Sequence, residues 1–373
     1  MDRLSPVARN EEEWARQRRA LRTDRSTIRR VMAYYGASDE HGPLLVPREW
    51  ELKGPVPVDK VTLQLDDSRE SERRPAPAAL TGVLPPGSRR DERYSSAVQR
   101  LASPGIFADR VCYQACDLRV GDDDIDLRLG VMRYFEFFDE GEAMRHELEL
   151  VGDDVDRAIL RRSLGDLTDL SSRKVIIGVT VVTLRVDRAN ERATFLVHRR
   201  DADAVATEQG QWHVVPCGVF QPRSDDATTW DADANLSELI IRECAEELLG
   251  MNEDVVDDDV MNRFREAQVS GGLRIVITGI GVNPVIGNLE ILCAAVFSQP
   301  TFDEVLRDLV ADSPEGSLRS PSGSSGVEGF PFDLAVIDKL LVEHSFAPSG
   351  EAALRAALRW RHEIITSSED SAS

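Results

Sequence analysis

The pattern of apolar and polar positions divides the chain into an irregular front part and a strongly patterned remainder. Residues 10–35 (NEEEWARQRRALRTDRSTIRRVMAYY) predict a helix, with Glu at its start and Arg towards its end to complement the helix dipole. Residues 65–93 are rich in Pro, Arg, Asp, Glu and Ser. That composition buries little apolar surface and predicts a linker or mobile loop. Pattern resumes at Tyr94. YSSAVQRLASP predicts a short helix ended by Pro104, DIDLRLGVMRYFEFF alternates as one or two strands, and DEGEAMRHELEL predicts a helix.

From residue 174 the signals sharpen. KVIIGVTVVTLRV is a β-branched run long enough for a buried strand, DRAN supplies a turn, and ATFLVHRR completes a hairpin. QWHVVPCGVF follows as an extended segment. After a polar stretch, NLSELIIRECAEELL predicts a helix with Asn235 as N-cap, Glu238 at the capping-box position and Gly250 as its stop. LRIVITGIGVN and LEILCAAVF predict two more strands, and TFDEVLRDLV a helix capped by Thr301. SPEGSLRSPSGSSGVEG predicts a flexible insertion, FDLAVIDKLLVEH and SGEAALRAALRWRHEII two closing helices, and TSSEDSAS a disordered tail. The order of strands, acidic helix, strands and terminal helix implies an α/β fold, one α/β/α layered domain over 171–366. Before it stand a helical and extended region (1–64), the linker (65–93) and a small α+β region (94–170); residues 367–373 form the tail.

Composition narrows the classes. At 373 residues the chain exceeds the usual size of a single core, so two domains are the default. A hydrophobic content of 42% supports a packed core, and a charged content of 30% indicates a soluble protein. The 45 basic and 66 acidic residues leave a net charge of −21, which opposes general affinity for nucleic acid or anionic membranes and favours cationic partners, divalent metals among them. The Arg cluster of residues 10–35 therefore reads as a solvated face balanced by nearby acids rather than a nucleic-acid contact. There is no run of 18 apolar residues and no signal-peptide core at the N-terminus, so a cytoplasmic protein without a membrane partner is expected. The five cysteines, Cys112, Cys116, Cys217, Cys244 and Cys293, read as reduced and mostly buried; Cys112 and Cys116 are four apart but lack the partners of a zinc site.

The candidate chemistry lies on the helix after Asn235. Glu243, Glu246 and Glu247 are three and four residues apart, which places them on one helical face. Such a face is either plainly solvated or a cluster of carboxylates around a hard divalent ion, since close carboxylates repel unless a cation sits between them. Arg242 is placed to orient one of them through a fork-shaped contact.

The block RECAEELLG resembles the core of the Nudix box, REUXEEXGU with U a bulky apolar residue, through Arg242, Glu243, Cys244, Glu246 and Glu247. VVTLRVDRANERATFLVHRR resembles the opening hairpin of Nudix domains, and WHVVPCGVFQP the strand leading into the glycine loop of the box, with the box spanning about residues 216–250 and the likeness about 173–300. There are departures. Between Gly218 and Arg242 lie 23 residues, a longer loop than usual; Ala234 stands where the box has a Glu, with Asp231 or Asp233 nearby; Cys217 stands for the first glycine; and Leu249 is an extra residue before Gly250.

The resemblance implies a Nudix-like α/β/α sandwich with a mixed sheet. It also implies hydrolysis of a nucleoside diphosphate linked to another group, with Mg²⁺ or Mn²⁺ held by Glu243, Glu246 and Glu247, one of them a candidate base, and Arg242 orienting. Glu290 is a candidate further ligand, against the reading of an edge-strand surface residue. Arg199 and Arg200 are candidates to grip phosphate with Gly218, or else are simply exposed. Trp212 and His213 line a base pocket or pack, and His146 is assigned no role, as a surface or satisfied helix histidine. A non-catalytic nucleotide or sugar-nucleotide sensor is the alternative to a hydrolase, and an acidic interaction protein without a ligand a third reading. The first 170 residues would shape the pocket, form a homodimer contact or bind a regulator.

Overall fold

The computed structural model describes residues 10–21, 24–66, 78–89, 91–105, 107–200, 210–251, 257–313, 316–321 and 328–366. Its main sheet contains β1 (Val56–Pro57), β5 (Ile177–Asp187), β6 (Arg192–Phe195), β9 (Cys217–Val219), β10 (Leu273–Val282), β11 (Leu289–Ser298) and β14 (Phe330–Pro331). The order is β1-β10-β11-β5-β6-β14, with β9 also paired to β5. β11 runs parallel to β5 along its length, while β10–β11, β5–β6 and β5–β9 are antiparallel, so the sheet is mixed. A second sheet, β12-β13-β7-β8, joins β7 (Val197–Arg200), β8 (Trp212–Val214), β12 (Asp312–Ser313) and β13 (Gly316–Arg319). A third, β2-β4-β3, joins β2 (Val61–Leu65), β3 (Val111–Val120) and β4 (Ile125–Arg133).

Helices flank the main sheet on both faces, because successive side chains of a strand point to opposite sides. Ile177, Val179 and Val181 of β5 join a core that includes Leu239, Ile240, Cys244 and Leu248 of α7 (Leu236–Leu249) and Phe264 of α8 (Asp258–Val269). Val182, Leu184 and Val186 join another, with Ile337 and Leu340 of α10 (Leu334–Glu343), Leu354 of α11 (Pro348–Arg359) and Ile364 of α12 (Arg361–Thr366). The protein is thus mixed α/β. Among the described residues no helix is long and apolar enough to cross a membrane.

The front part is not set apart from this layering. Trp14, Ile28, Trp50, Tyr94 and Leu129 belong to the same core cluster as β5 and α7, and β1 extends the main sheet by pairing with β10. Three segments differ from the sequence expectation there. The single helix over 10–35 is two, α1 (Glu11–Arg19) and α2 (Arg25–Tyr34), because Asp24 starts a new helix by accepting the Thr27 N–H. Within the supposed linker, Leu80, Val83 and Leu84 are buried and Trp14 Nε1 donates to the Val83 carbonyl at 2.8 Å, so that stretch contributes to the core; residues 67–77 lie outside the described residues. YFEFF is helical, the first turn of α4 (Tyr134–Val151), with the Glu136 carboxylate accepting the Arg133 N–H. The N-terminal helical set is completed by α3 (Tyr94–Leu101) and α5 (Ile159–Leu164).

Elsewhere, ATFLVHRR is divided between two sheets, β6 in the main one and β7 in the second. QWHVVPCGVF is likewise divided into β8 and β9, on either side of the cis Val215–Pro216 bond. The stretch read as a flexible insertion contains β13, whose Leu318 pairs with His198 of β7; residues 322–327 and the tail 367–373 lie outside the described residues. Between α6 (Trp230–Asp233) and the C-terminal helices, α9 (Gln299–Val305) starts earlier than expected, since Ser298 rather than Thr301 caps it.

Candidate functional site

α7 forms where the sequence places it. The Asn235 side chain accepts the Glu238 N–H at 3.1 Å, and Gly250 ends the helix in the left-handed conformation at φ 67°, where a side chain would be strained. Its apolar stripe, Leu236, Leu239, Ile240, Cys244, Ala245 and Leu248, is buried against the main sheet. Burial pushes the Cys244 thiol up, so it acts as a small hydrophobe. The same turns carry Arg242, Glu243, Glu246 and Glu247, with Glu243 and Glu247 beside the apolar stripe and reaching β9.

The glutamates lie against β9 and the loop that follows it. A Cβ at Gly218 would stand 2.4 Å from Glu243 Oε2, so only glycine lets this carboxylate rest on the strand. Glu247 Oε1 accepts the Cys217 N–H at 2.7 Å. The Arg242 guanidinium lies 3.7 Å from Glu246 Oε1 and 3.9 Å from Glu243 Oε1, and donates to the Gln221 carbonyl at 3.3 Å. Arg242 and Glu247 are buried, and the side chains of Glu243 and Glu246 are only 13% and 16% exposed. These three sheltered carboxylates lie beside the Arg242 guanidinium, but their oxygens are not gathered within 4.8 Å of one another. The structure brings together Gly218, Arg242, Glu243, Glu246 and Glu247.

Glu290 is not brought into this group. It is buried on β11, an interior strand between β10 and β5, which overturns the edge-strand surface reading. It accepts from Thr180 Oγ1 at 3.2 Å and from Asn288 Nδ2 at 2.7 Å. Glu290 pairs with Gly178, whereas Gly218 pairs with Val179, so alternation sets Glu290 on the sheet face opposite to Gly218 and α7.

Arg199 and Arg200 diverge for the same reason. Arg199 is exposed, its Nε donating to the Gly210 carbonyl at 3.3 Å, while Arg200 is half-buried with Nη1 2.8 Å from Cys217 Sγ. In the long loop, Asp233 accepts from the Arg223 N–H and Thr229 Oγ1, and Asp231 is exposed; Tyr113 Oη donates to the Trp230 carbonyl at 2.6 Å, anchoring α6. Trp212 stacks on His344, ring centroids 3.8 Å apart at 6°, and so is used in packing. His146 is not at the surface. It is fully buried, its Nδ1 3.0 Å from Tyr94 Oη, and burial with the Arg18 and Arg145 charges brings its pKa down to about 3.

One group went unread in the sequence. Among the described residues, the set of His, Cys, Asp or Glu side chains whose donor atoms all lie within 4.8 Å of one another is His198, His213 and Cys217, not the glutamates. His213 and Cys217 are four apart, the one signal available, but His198 lies on another strand and no zinc-type spacing links the three. Burial, with the nearby Arg200 and His213, holds His198 well below the ordinary histidine range and thus neutral, so its 3.4 Å approach to Glu247 Oε2 is not an ion pair.

No protein-family model matches this chain, and no curated protein matches it.

Proposed function

We propose that the chain is a Nudix-type hydrolase that cleaves a diphosphate bond in a nucleotide-linked substrate with Mg²⁺ or Mn²⁺. The observation that carries this reading is the seating of Glu243 against Gly218, with Glu246, Glu247 and Arg242 on the same helical turns. A glycine strand end under an acidic helix, flanked by a mixed sheet with helices on both faces, is what a Nudix-like α/β/α sandwich requires. The residues fit a hard divalent ion in kind: their donors are carboxylate oxygens, and the missing Cβ of Gly218 lets the Glu243 carboxylate rest on β9 beside Glu247. Glu243, Glu246 and Glu247 would hold it; Glu290, on the other face of the sheet, is not part of the set. A divalent ion bound there would neutralise diphosphate charge and lower the pKa of a bound water.

The chain's own groups have separable tasks in this reading. Arg242, bonded to the Gln221 carbonyl, holds Glu246 and Glu243 in place relative to the loop after β9. Glu247 is fixed by the Cys217 N–H, which sets its second oxygen towards β7. Glu246, among the more exposed of the three, is the candidate general base.

A second reading, a non-catalytic sensor of a nucleotide or sugar nucleotide, rests on two observations. The glutamate oxygens are not gathered within 4.8 Å of one another, and Ala234 occupies the position of a box Glu. Phosphate release from a panel of nucleoside diphosphate derivatives, with and without Mg²⁺ or Mn²⁺, separates the two. Metal-dependent turnover that is lost in Glu246→Gln supports the hydrolase. An inactive protein whose melting temperature rises with a nucleotide supports the sensor.

A further inference from the structure

Beside the glutamates, the ends of three short strands assemble a second donor set of different chemistry. His198 comes from β7, His213 from β8 and Cys217 from β9, and their exposures are 2%, 1% and 8%. The three donor atoms lie within 4.8 Å of one another, and His198 Nε2 is 4.0 Å from Cys217 Sγ. In a tetrahedral zinc site a nitrogen and a sulfur ligand stand about 3.6 Å apart, so the His198–Cys217 pair would close by a few tenths of an ångström.

We propose that His198, His213 and Cys217 form a binding site for a borderline transition-metal ion of the zinc class, distinct from the Mg²⁺ or Mn²⁺ position on α7. Two imidazoles and a thiolate select such ions over magnesium or manganese, which prefer all-oxygen sets. The tautomers are already arranged. His213 Nδ1 lies 2.8 Å from the Val214 carbonyl, which places its proton there and leaves Nε2 as the lone-pair nitrogen, 2.9 Å from the Ser349 hydroxyl. His198 turns Nδ1 towards Glu247 Oε2 at 3.4 Å and Nε2 towards Cys217. Each imidazole thus has one nitrogen facing an oxygen acceptor, as metal-ligating histidines do, and an ion would take the other, displacing the Ser349 hydroxyl from His213 Nε2.

Arg200 Nη1 stands 2.8 Å from Cys217 Sγ, so a positive charge lies beside the sulfur. Binding a divalent ion transfers the thiol proton to solvent and leaves a net single positive charge on the metal with its three ligands, next to Arg200 and opposite Glu247. Ser349, at the start of α11, would give up its hydrogen bond to Nε2 when an ion binds. The ion would tie β7, β8 and β9 together where they turn between the two sheets. Because Glu247 is held by the Cys217 N–H and faces His198, occupancy of this site would set the position of a glutamate on α7.

The test is titration of the full-length chain with Co²⁺ after chelator treatment, under reducing conditions. A single equivalent should bind with an intense near-ultraviolet thiolate-to-cobalt band and visible bands of a four-coordinate ion, and Zn²⁺ should abolish both. Cys217→Ser should remove the near-ultraviolet band, His198→Gln should weaken binding at least about tenfold, and Cys116→Ser, at a partly exposed thiol outside the set, should leave the spectrum intact. No thiolate band in the wild-type chain overturns the proposal without reliance on any variant, as does a band that survives Cys217→Ser.

Discussion

Two donor sets meet at Glu247. On one side, α7 offers carboxylate oxygens from Glu243, Glu246 and Glu247, spaced by the helical turn and steadied by Arg242. On the other, β7, β8 and β9 offer two imidazoles and a thiol, with Arg200 at the sulfur and Glu247 facing His198. The first set is hard, anionic and partly open; the second is softer, nearly neutral and closed. They differ because a helix repeats its own residues on one face, whereas strand ends gather residues that are distant in the chain. A single carboxylate touching both shows how a short strand, β9, can serve two chemistries at once through its backbone: the Cys217 N–H holds Glu247, and Gly218 makes room for Glu243.

The comparison is broken most severely by disabling α7. Glu246→Gln with Glu247→Gln should lower metal-dependent diphosphate hydrolysis by roughly 10²–10⁴-fold, the range of a lost general base. Glu246→Gln alone should reduce hydrolysis while sparing the Co²⁺ spectrum, whereas Glu247→Gln should disturb both, read by kcat and by absorption on the same samples. Equal effects of the two single variants on the spectrum would deny that Glu247 is the shared residue.

Next in size is Gly218→Ala. The added methyl meets the far end of a flexible side chain, so the fold tolerates it, but Glu243 must move off the strand. Hydrolysis should fall about 10²-fold, the effect of an ångström-scale misplacement, with little change in thermal melting. A large loss of stability would show that Gly218 serves the fold rather than the carboxylate.

A third effect isolates buried imidazole chemistry from metal chemistry. His146 is buried as His198 is, but it faces Tyr94 and Trp14 rather than other donors. Its folded pKa of about 3 lies below the ordinary 6.5, so the native state binds fewer protons than the unfolded state. Stability from this group is therefore intact above pH 6.5 and is lost as pH falls from there towards 3, on the order of 2 kcal/mol between pH 7 and pH 5. Urea unfolding at both values should show the loss, and His146→Gln should flatten it while leaving Co²⁺ binding unchanged.

The smallest effect concerns how α7 is held. Asn235→Ala removes the side-chain acceptor of the Glu238 N–H and should cost about 1 kcal/mol, seen as a lowered urea midpoint with hydrolysis and Co²⁺ binding retained.

Much of the oxygen site was legible in the residues. Asn235, the spacing of Glu243, Glu246 and Glu247, and Gly250 define a capped helix with an acidic face, and each is a local signal. Gly218 was legible as the glycine of the box-like turn, though its closeness to Glu243 was not. Arg199 and Arg200 were not separable by eye, since adjacent strand residues look alike until a sheet assigns their faces. YFEFF looked like a strand because its aromatics carry strand propensity, yet Glu136 and the packing of α4 override it. Leu80, Val83 and Leu84 were hidden inside a charged, proline-rich stretch whose average composition masks three core positions.

By itself the sequence determined α7 with its cap, its stop and its carboxylates, and the long runs of β5, β10 and β11, because caps and local spacing act within a few residues. Only the tertiary structure decided that Glu290 faces away from Gly218, that the front of the chain packs into the shared core, and that His198, His213 and Cys217 converge. Those outcomes depend on which strand pairs with which and in what register, and a shift of one residue would exchange the faces.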